Sequence, residues 1–301
     1  MMKKMLFFVN PNAGHAEVRS HLMELLQVFT EGGYAVTVHP TAGPKDLTRQ
    51  IVERAEAYDL IVCSGGDGTL NEAVSGLMQI PQDRRPLLGY IPSGTTNDVA
   101  ATLGLSRDFI TAAKDIVHGV PYSIDIGSFG EDKWFTYVAA FGLFTDVPYD
   151  TPQQDKRVLG GLAYFFNGVR ALGDIRPVHV RVTSEGMTQE LEVLDGLVCS
   201  TTSVAGFHAT KDLGVSLNDG KSEVVLVRNF KRLADFNAAA ACILRNELTE
   251  PYFVTFQTDH VKFEFDEPVA WTLDGEYGGS VTQVELRNHQ CALQILVPDK
   301  K

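Results

Sequence analysis

Apolar and polar positions fall into two grammars along the chain. Through residue 118, short wholly apolar runs alternate with segments of helical spacing. Leu6 to Val9, Tyr34 to His39, Leu60 to Cys63 and Leu87 to Ile91 read as strands, the first of them buried and Leu60 to Cys63 apolar enough to be buried on both faces. Helices are predicted between them. One has Val18, Leu22, Leu25, Leu26 and Phe29 on its inner face and stops at Gly32-Gly33; one starts at Pro44 and carries Leu47, Ile51, Val52 and Ala55. Others run from Thr69 to Met78, from Val99 to Leu103 and over 106–118. Strand–helix alternation of this kind predicts a mostly parallel sheet with right-handed crossovers.

From about residue 120 the pattern changes to strands joined by short turns. Tyr122–Phe129, Trp134–Phe141, Val178–Thr183, Leu191–Cys199, Val224–Val227, Tyr252–Phe256, His260–Phe265, Ala270–Leu273, Val281–Leu286 and Ala292–Val297 are predicted strands. Helices over 156–172 and 231–246 interrupt them. The density of strands implies a mainly antiparallel C-terminal domain built as a β-sandwich. Residues 1–122 are therefore expected to form an α/β domain and 123–286 a β-rich one, with 287–301 returning to the first.

A parallel sheet binds ligands beyond the carboxyl ends of its strands. Three loops reach that edge: Asn10-Pro-Asn-Ala-Gly14, Gly65-Gly-Asp-Gly-Thr69 and Pro92-Ser-Gly-Thr-Thr-Asn-Asp98. Glycines between a buried strand and a helix let backbone N–H groups approach an anion. A bare tight turn is the bland alternative, and the convergence of three such loops argues against it. Asp67 should repel phosphate unless a metal ion lies between them.

Composition narrows the setting. The chain has 301 residues, 44% hydrophobic and 21% charged, as ordinary globular proteins do. A net charge of −12 speaks against nucleic acid and against strong attachment to anionic membrane. Cys63, Cys199, Cys242 and Cys291 are scattered, which disfavours a zinc site or a disulfide framework. No apolar run spans a bilayer, and the opening residues read as a first strand rather than a signal peptide, so a cytoplasmic protein is expected.

Together the loops resemble the diacylglycerol kinase catalytic family, most closely its bacterial soluble lipid-kinase branch. Asn10-Pro-Asn-Ala-Gly14 matches N-P-x-x-G. Gly65-Gly-Asp-Gly-Thr-Leu-Asn-Glu72 matches G-G-D-G-T-x-N-E, Pro92 to Asp98 matches P-x-G-T-x-N-D, and Leu273-Asp-Gly-Glu276 matches L-D-G-E. NAD kinases share G-G-D-G-T and a similar first domain, but the last two segments favour the lipid branch.

The resemblance implies an ATP- and Mg²⁺-dependent phosphotransferase acting on a lipid hydroxyl, with diacylglycerol the leading acceptor and phosphatidic acid the product. It implies that Asn10, Pro11, Asn12, Ala13, Gly14, Thr41, Gly65, Gly66, Asp67, Gly68, Thr69, Leu70, Asn71, Glu72, Gly94, Thr95 and Asn97 surround the nucleotide. Asp67, Asp98, Asp125 and Asp274 would gather around Mg²⁺ directly or through water, and Glu276, or Asp274, would accept the lipid hydroxyl's proton. By the same resemblance, Asp219 with the carbonyls of Ser216 and Lys221 would hold a structural Mg²⁺, although Asn218-Asp-Gly220 is equally a hairpin signal. Val99-Ala-Ala101 replaces the aromatic and basic residues common after G-T-x-N-D, so that positive charge is either missing or supplied elsewhere, with Lys156, Arg157 and Arg170 the candidates and a solvated helix face the reading favoured for each of them. Expected partners are a membrane lipid met transiently and, as one option, a second copy in a homodimer. A kinase of a soluble acceptor such as NAD, or a non-catalytic nucleotide-binding regulator, are the alternatives.

Overall fold

The computed structural model describes residues 2–11, 18–95, 97–142, 177–200, 216–230, 232–245, 247–248 and 250–299. The expected helix over 156–172, with Lys156, Arg157 and Arg170, lies outside them.

Strand β1 (Lys3–Val9) pairs in parallel with β2 (Tyr34–Pro40) and β3 (Leu60–Gly65), and β3 pairs in parallel with β4 (Leu87–Pro92). Period-2 alternation divides each strand between two cores. Leu6, Phe8, Ile61, Cys63, Leu88 and Tyr90 face α2 (Asp46–Arg54) and α3 (Asp67–Leu77). Met5, Phe7, Leu60, Val62 and Ile91 face α1 (Val18–Glu31) and α5 (Phe109–His118). Helices on both sides explain the wholly apolar runs, since neither strand face meets water. A fully buried side chain of this size contributes roughly 1.5–3 kcal/mol. The short α4 (Asp98–Leu103) precedes α5, which begins later than expected because Asp108 caps it, its Oδ1 accepting Thr111 N at 2.8 Å.

Strand β5 (Val120–Phe129) opens the antiparallel half. Where one strand was expected over 134–141 there are two, β6 (Lys133–Phe135) and β7 (Val138–Gly142). They are followed by β8 (Val178–Ser184), β9 (Met187–Cys199), β10 (Ser222–Arg228), α6 (Leu233–Arg245) and β11 (Phe253–Thr258). The last four expected strands merge into two, β12 (His260–Leu273) and β13 (Glu276–Val297). Register irregularities between Glu264 and Val269 and between His289 and Leu293 absorb the breaks that the sequence pattern suggested.

Trp271 centres the core of this half, ringed by Phe129, Phe141, Phe263 and Phe265. The end of β13 runs beside β4, Ile295 opposite Leu88, so the described strands form one hydrogen-bonded network. Among the described residues no helix is long and apolar enough to cross a membrane.

Candidate active site

The segments at the carboxyl ends of β1, β2, β3 and β4 are tied to one another by backbone bonds. Asn10 N donates to Ser64 O at 3.1 Å, Thr41 N to Val9 O at 3.0 Å, and Ser93 N to Gly65 O at 2.8 Å. Asn10 Nδ2 reaches Thr69 Oγ1 at 3.2 Å. Asn12, Ala13 and Gly14 lie outside the described residues, and Pro11 stands half-buried at the loop's start. Thr95 is exposed at the same edge.

Asn97 does not line the loop; it closes it. Buried and in the left-handed region (φ 54°), it accepts Gly94 N at 3.1 Å on Oδ1 and donates Nδ2 to Gly94 O at 2.7 Å. Tyr90 hydroxyl bonds the same Oδ1 at 3.2 Å and Gly65 O at 3.1 Å. Leu70 is likewise a core residue, and only its backbone reaches the turn, its N donating to Gly66 O at 3.1 Å.

Glu72 points toward the β2–α2 connection. Its Oε1 accepts Lys45 N at 2.9 Å, and its carbonyl accepts Thr48 Oγ1 at 2.8 Å. On the other side of that connection Asp46, buried, accepts Ala42 N at 2.9 Å and bonds His39 Nε2 and Arg49 Nη2. The Ala42 N–H, with His39 and Arg49, lowers its carboxyl to about 2. Asp46 thus fixes the loop carrying Thr41. Sequence reasoning missed it, though an acid in a helix's first turn two residues past a proline was a signal.

Asp67, the first residue of α3, feels the charges of Asp98 and Asp274. Burial first, then Asp98, push its carboxyl up to about 6, against the pull of the Asp98 and Asn97 N–H groups. Among the described residues its Oδ1 is buried without a partner, as are Ser64 Oγ near the end of β3 and Ser93 Oγ just past β4. Asp98 is itself 2% exposed. Opposite them, Glu276 is exposed, and its Oε1 lies 3.4 Å from where a Cβ on Gly68 would stand. Glu276 therefore faces the Gly-rich turn directly.

Asp274 and Asn71 depart from expectation. Asp274 and Gly275 both have positive φ (49° and 85°), as primed two-residue hairpins require. The Asp274 carboxylate is turned inward and accepts N–H bonds from Thr136, Tyr137 and Val138 and from Asn71 Nδ2. Burial raises its pKa while these donors lower it. With two acceptor positions per oxygen filled, direct ligation of a metal ion would break one of these bonds. Asn71 Nδ2 also donates to Trp134 O at 3.0 Å, so its amide spans α3 and β6 rather than facing the loops.

Asp125 is found elsewhere. Its oxygens accept Gly220 N and Cys291 N, each at 2.7 Å, and its acid neighbour is Asp219. It belongs to the turn of residues 216–221 and not to the cluster around Asp67. In that turn Ser216 Oγ donates to Asn218 Oδ1 at 3.0 Å and Lys221 N to Asp219 Oδ1 at 3.0 Å. Among the described residues no three His, Cys, Asp or Glu are grouped to hold a metal ion.

Comparison with known proteins identifies the family. The family model of the diacylglycerol kinase catalytic domain matches residues 4–129. A diacylglycerol kinase of Bacillus subtilis is 36% identical, covering 100% of this chain and 98% of the relative. One of Staphylococcus aureus is 31% identical, covering 93% and 88%. A crystal structure of a diacylglycerol kinase from Bacillus anthracis superposes with a TM-score of 0.75 at 20% identity, covering 98% of this chain and 97% of that one. At that identity the likeness is one of fold. This chain belongs to the diacylglycerol kinase catalytic family.

Proposed function

We propose that the protein is an ATP-dependent lipid kinase that transfers the γ-phosphoryl group to the hydroxyl of diacylglycerol, giving phosphatidic acid. The observation that carries this is Glu276 beside the Gly-rich turn, its Oε1 3.4 Å from where a Cβ on Gly68 would stand. The lipid oxygen attacks the γ-phosphorus, the bond from that phosphorus to the bridging oxygen of ADP breaks, and Glu276 takes the hydroxyl proton. Gly66, Gly68 and Gly94 let the phosphates approach the backbone, while Asn10, Thr41, Thr69 and Thr95 supply polar groups around the nucleotide.

The donor set suits Mg²⁺: the unpartnered Oδ1 of Asp67, with Asp98 beside it, is hard oxygen chemistry on a buried, charge-crowded wall. Asp67 and Asp98 would hold the ion, which when bound neutralises charge on the phosphoryl oxygens. We read the chain as a nucleotide-binding α/β part and a β-sandwich acceptor part, the cleft between them receiving lipid from a membrane the protein touches transiently from the cytoplasm.

The test is phosphate transfer from labelled ATP with Mg²⁺ to diacylglycerol in mixed micelles, alongside total lipid extract and soluble NAD. Labelled phosphatidic acid is expected. Label in another lipid moves the acceptor, and label in NAD alone overturns the lipid reading.

A further inference from the structure

The four hydrogen bonds on Asp274 tie together segments that are distant in sequence. Oδ2 accepts Thr136 N at 2.7 Å and Asn71 Nδ2 at 2.7 Å; Oδ1 accepts Tyr137 N at 3.0 Å and Val138 N at 3.1 Å. The Asp274 N–H returns a bond to Val138 O at 2.8 Å. This carboxylate is why β6 and β7 are two strands: it satisfies the N–H groups that the break between them releases. Asn71 completes the connection from α3, its two amide hydrogens divided between Asp274 Oδ2 and Trp134 O.

Helix α3 therefore carries two features three residues apart. Gly68 is the surface that Glu276 faces, and Asn71 holds the hairpin from which Glu276 projects. On the far side Lys133 Nζ donates to Gly278 O at 2.6 Å, fixing β13 just beyond Glu276. A base or metal ligand needs a free lone pair, and Asp274 has none left at good geometry.

We infer that Asp274 and Asn71 are positioning residues: together they lock the Glu276 hairpin to α3 and so set the placement of Glu276 over the Gly-rich turn. The inference rests on the lipid-kinase reading. It assigns Asp274 neither the proton nor the metal, and gives Asn71 a task away from the nucleotide. Displacing a catalytic group by about 1 Å can cost on the order of 10²-fold in rate. The lock is thus felt in turnover, while nucleotide and metal binding are left in place.

The test compares wild type, Asn71→Ala, Asp274→Asn and Glu276→Gln with ATP, Mg²⁺ and micellar diacylglycerol. Asn71→Ala leaves the three backbone bonds on Asp274 and is the variant least exposed to misfolding. Its kcat is expected to fall roughly 10- to 100-fold, with the KM for ATP and the half-saturating Mg²⁺ concentration unmoved. Asp274→Asn should likewise leave the Mg²⁺ requirement unmoved, and amide exchange at Thr136, Tyr137 and Val138 should quicken in it.

A wild-type kcat in Asn71→Ala overturns the inference, as does a Mg²⁺ requirement raised about tenfold or more in Asp274→Asn. If wild type itself transfers phosphate to no acceptor, the kinase reading fails and takes this inference with it. Wild-type transfer with an unimpaired Asn71→Ala sinks the inference alone.

Discussion

The α-carbon of Gly66 lies 2.5 Å from where a Cβ on Gly94 would stand. The loops after β3 and β4 thus meet backbone to backbone, and any side chain at Gly94 must push them apart. Gly94→Ala should cost about 1–3 kcal/mol by overpacking that no rotamer relieves and should remove phosphate transfer. Gly43→Ala, which meets nothing within 4 Å, is the matched control and should stay within about 0.5 kcal/mol of wild type. Urea unfolding of both variants checks the contrast; equal stability would mean that the loops can separate without cost.

Asp67→Ala is expected to abolish turnover while leaving the fold intact, because it removes a charge-crowded carboxylate and no core contact. A sharper readout is thermal unfolding with and without Mg²⁺. The ion should raise the wild-type Tm through preferential binding to the folded state and leave Asp67→Ala unmoved. With its carboxyl pushed up to about 6, Asp67 must lose a proton to bind the ion, so the shift should fade between pH 7 and pH 5. An undiminished shift in Asp67→Ala removes the residue from the metal site.

Glu276→Gln should slow turnover by roughly 10²–10⁴-fold, the range of a lost general base. It should leave ATP binding within a small factor, since Glu276 keeps its size and its place beside Gly68 and loses only its charge. Isothermal titration with ADP beside steady-state kinetics separates the two. Matched losses of affinity and kcat would count against proton transfer.

How much of this was legible beforehand depends on whether a motif acts through its own backbone or through distant partners. The apolar runs Leu6–Val9 and Leu60–Cys63 announced a sheet covered on both faces, and the glycines at 65, 66, 68 and 94 announced a close approach. Local spacing encodes both. That Asn71 and Asp274 would meet could not be read, because they are 203 positions apart and each looks like an active-site polar residue in isolation. The surroundings of Asp125 were hidden for the same reason, its partners Gly220 and Cys291 being distant in sequence. The merged strands β12 and β13 were hidden by irregularities that look like turns in sequence.

Asp46→Asn should destabilise the fold by about 1–2 kcal/mol at pH 7, since it weakens bonds to Ala42 N, His39 and Arg49. The folded carboxyl sits at about 2, below its ordinary 3.8, so its contribution is present above pH 3.8 and lost as pH falls through 2. The gap between wild type and variant should therefore close in acid. Activity offers a second readout: with the Ala42 loop loosened, the KM for ATP should rise more than kcat falls. A variant with wild-type KM would release Thr41 from the nucleotide's surroundings.

Glu223 reverses that sign. It lies 1% exposed on β10, with Oε1 accepting Gln257 Nε2 at 3.1 Å and Oε2 without a partner among the described residues. Burial, the largest cause, pushes its carboxyl from 4.5 up to about 7. Between those values the folded chain holds a proton that the unfolded chain has released, so stability falls as pH rises through the window. Glu223→Gln keeps the bond to Gln257 and has no proton to lose. Wild type should therefore lose roughly 2–3 kcal/mol against the variant between pH 5 and pH 8. Urea midpoints at the two pH values measure the difference directly. Because both proteins share every other titrating group, including Asp219 nearby, parallel pH dependences would mean that the carboxyl finds a partner or water when charged.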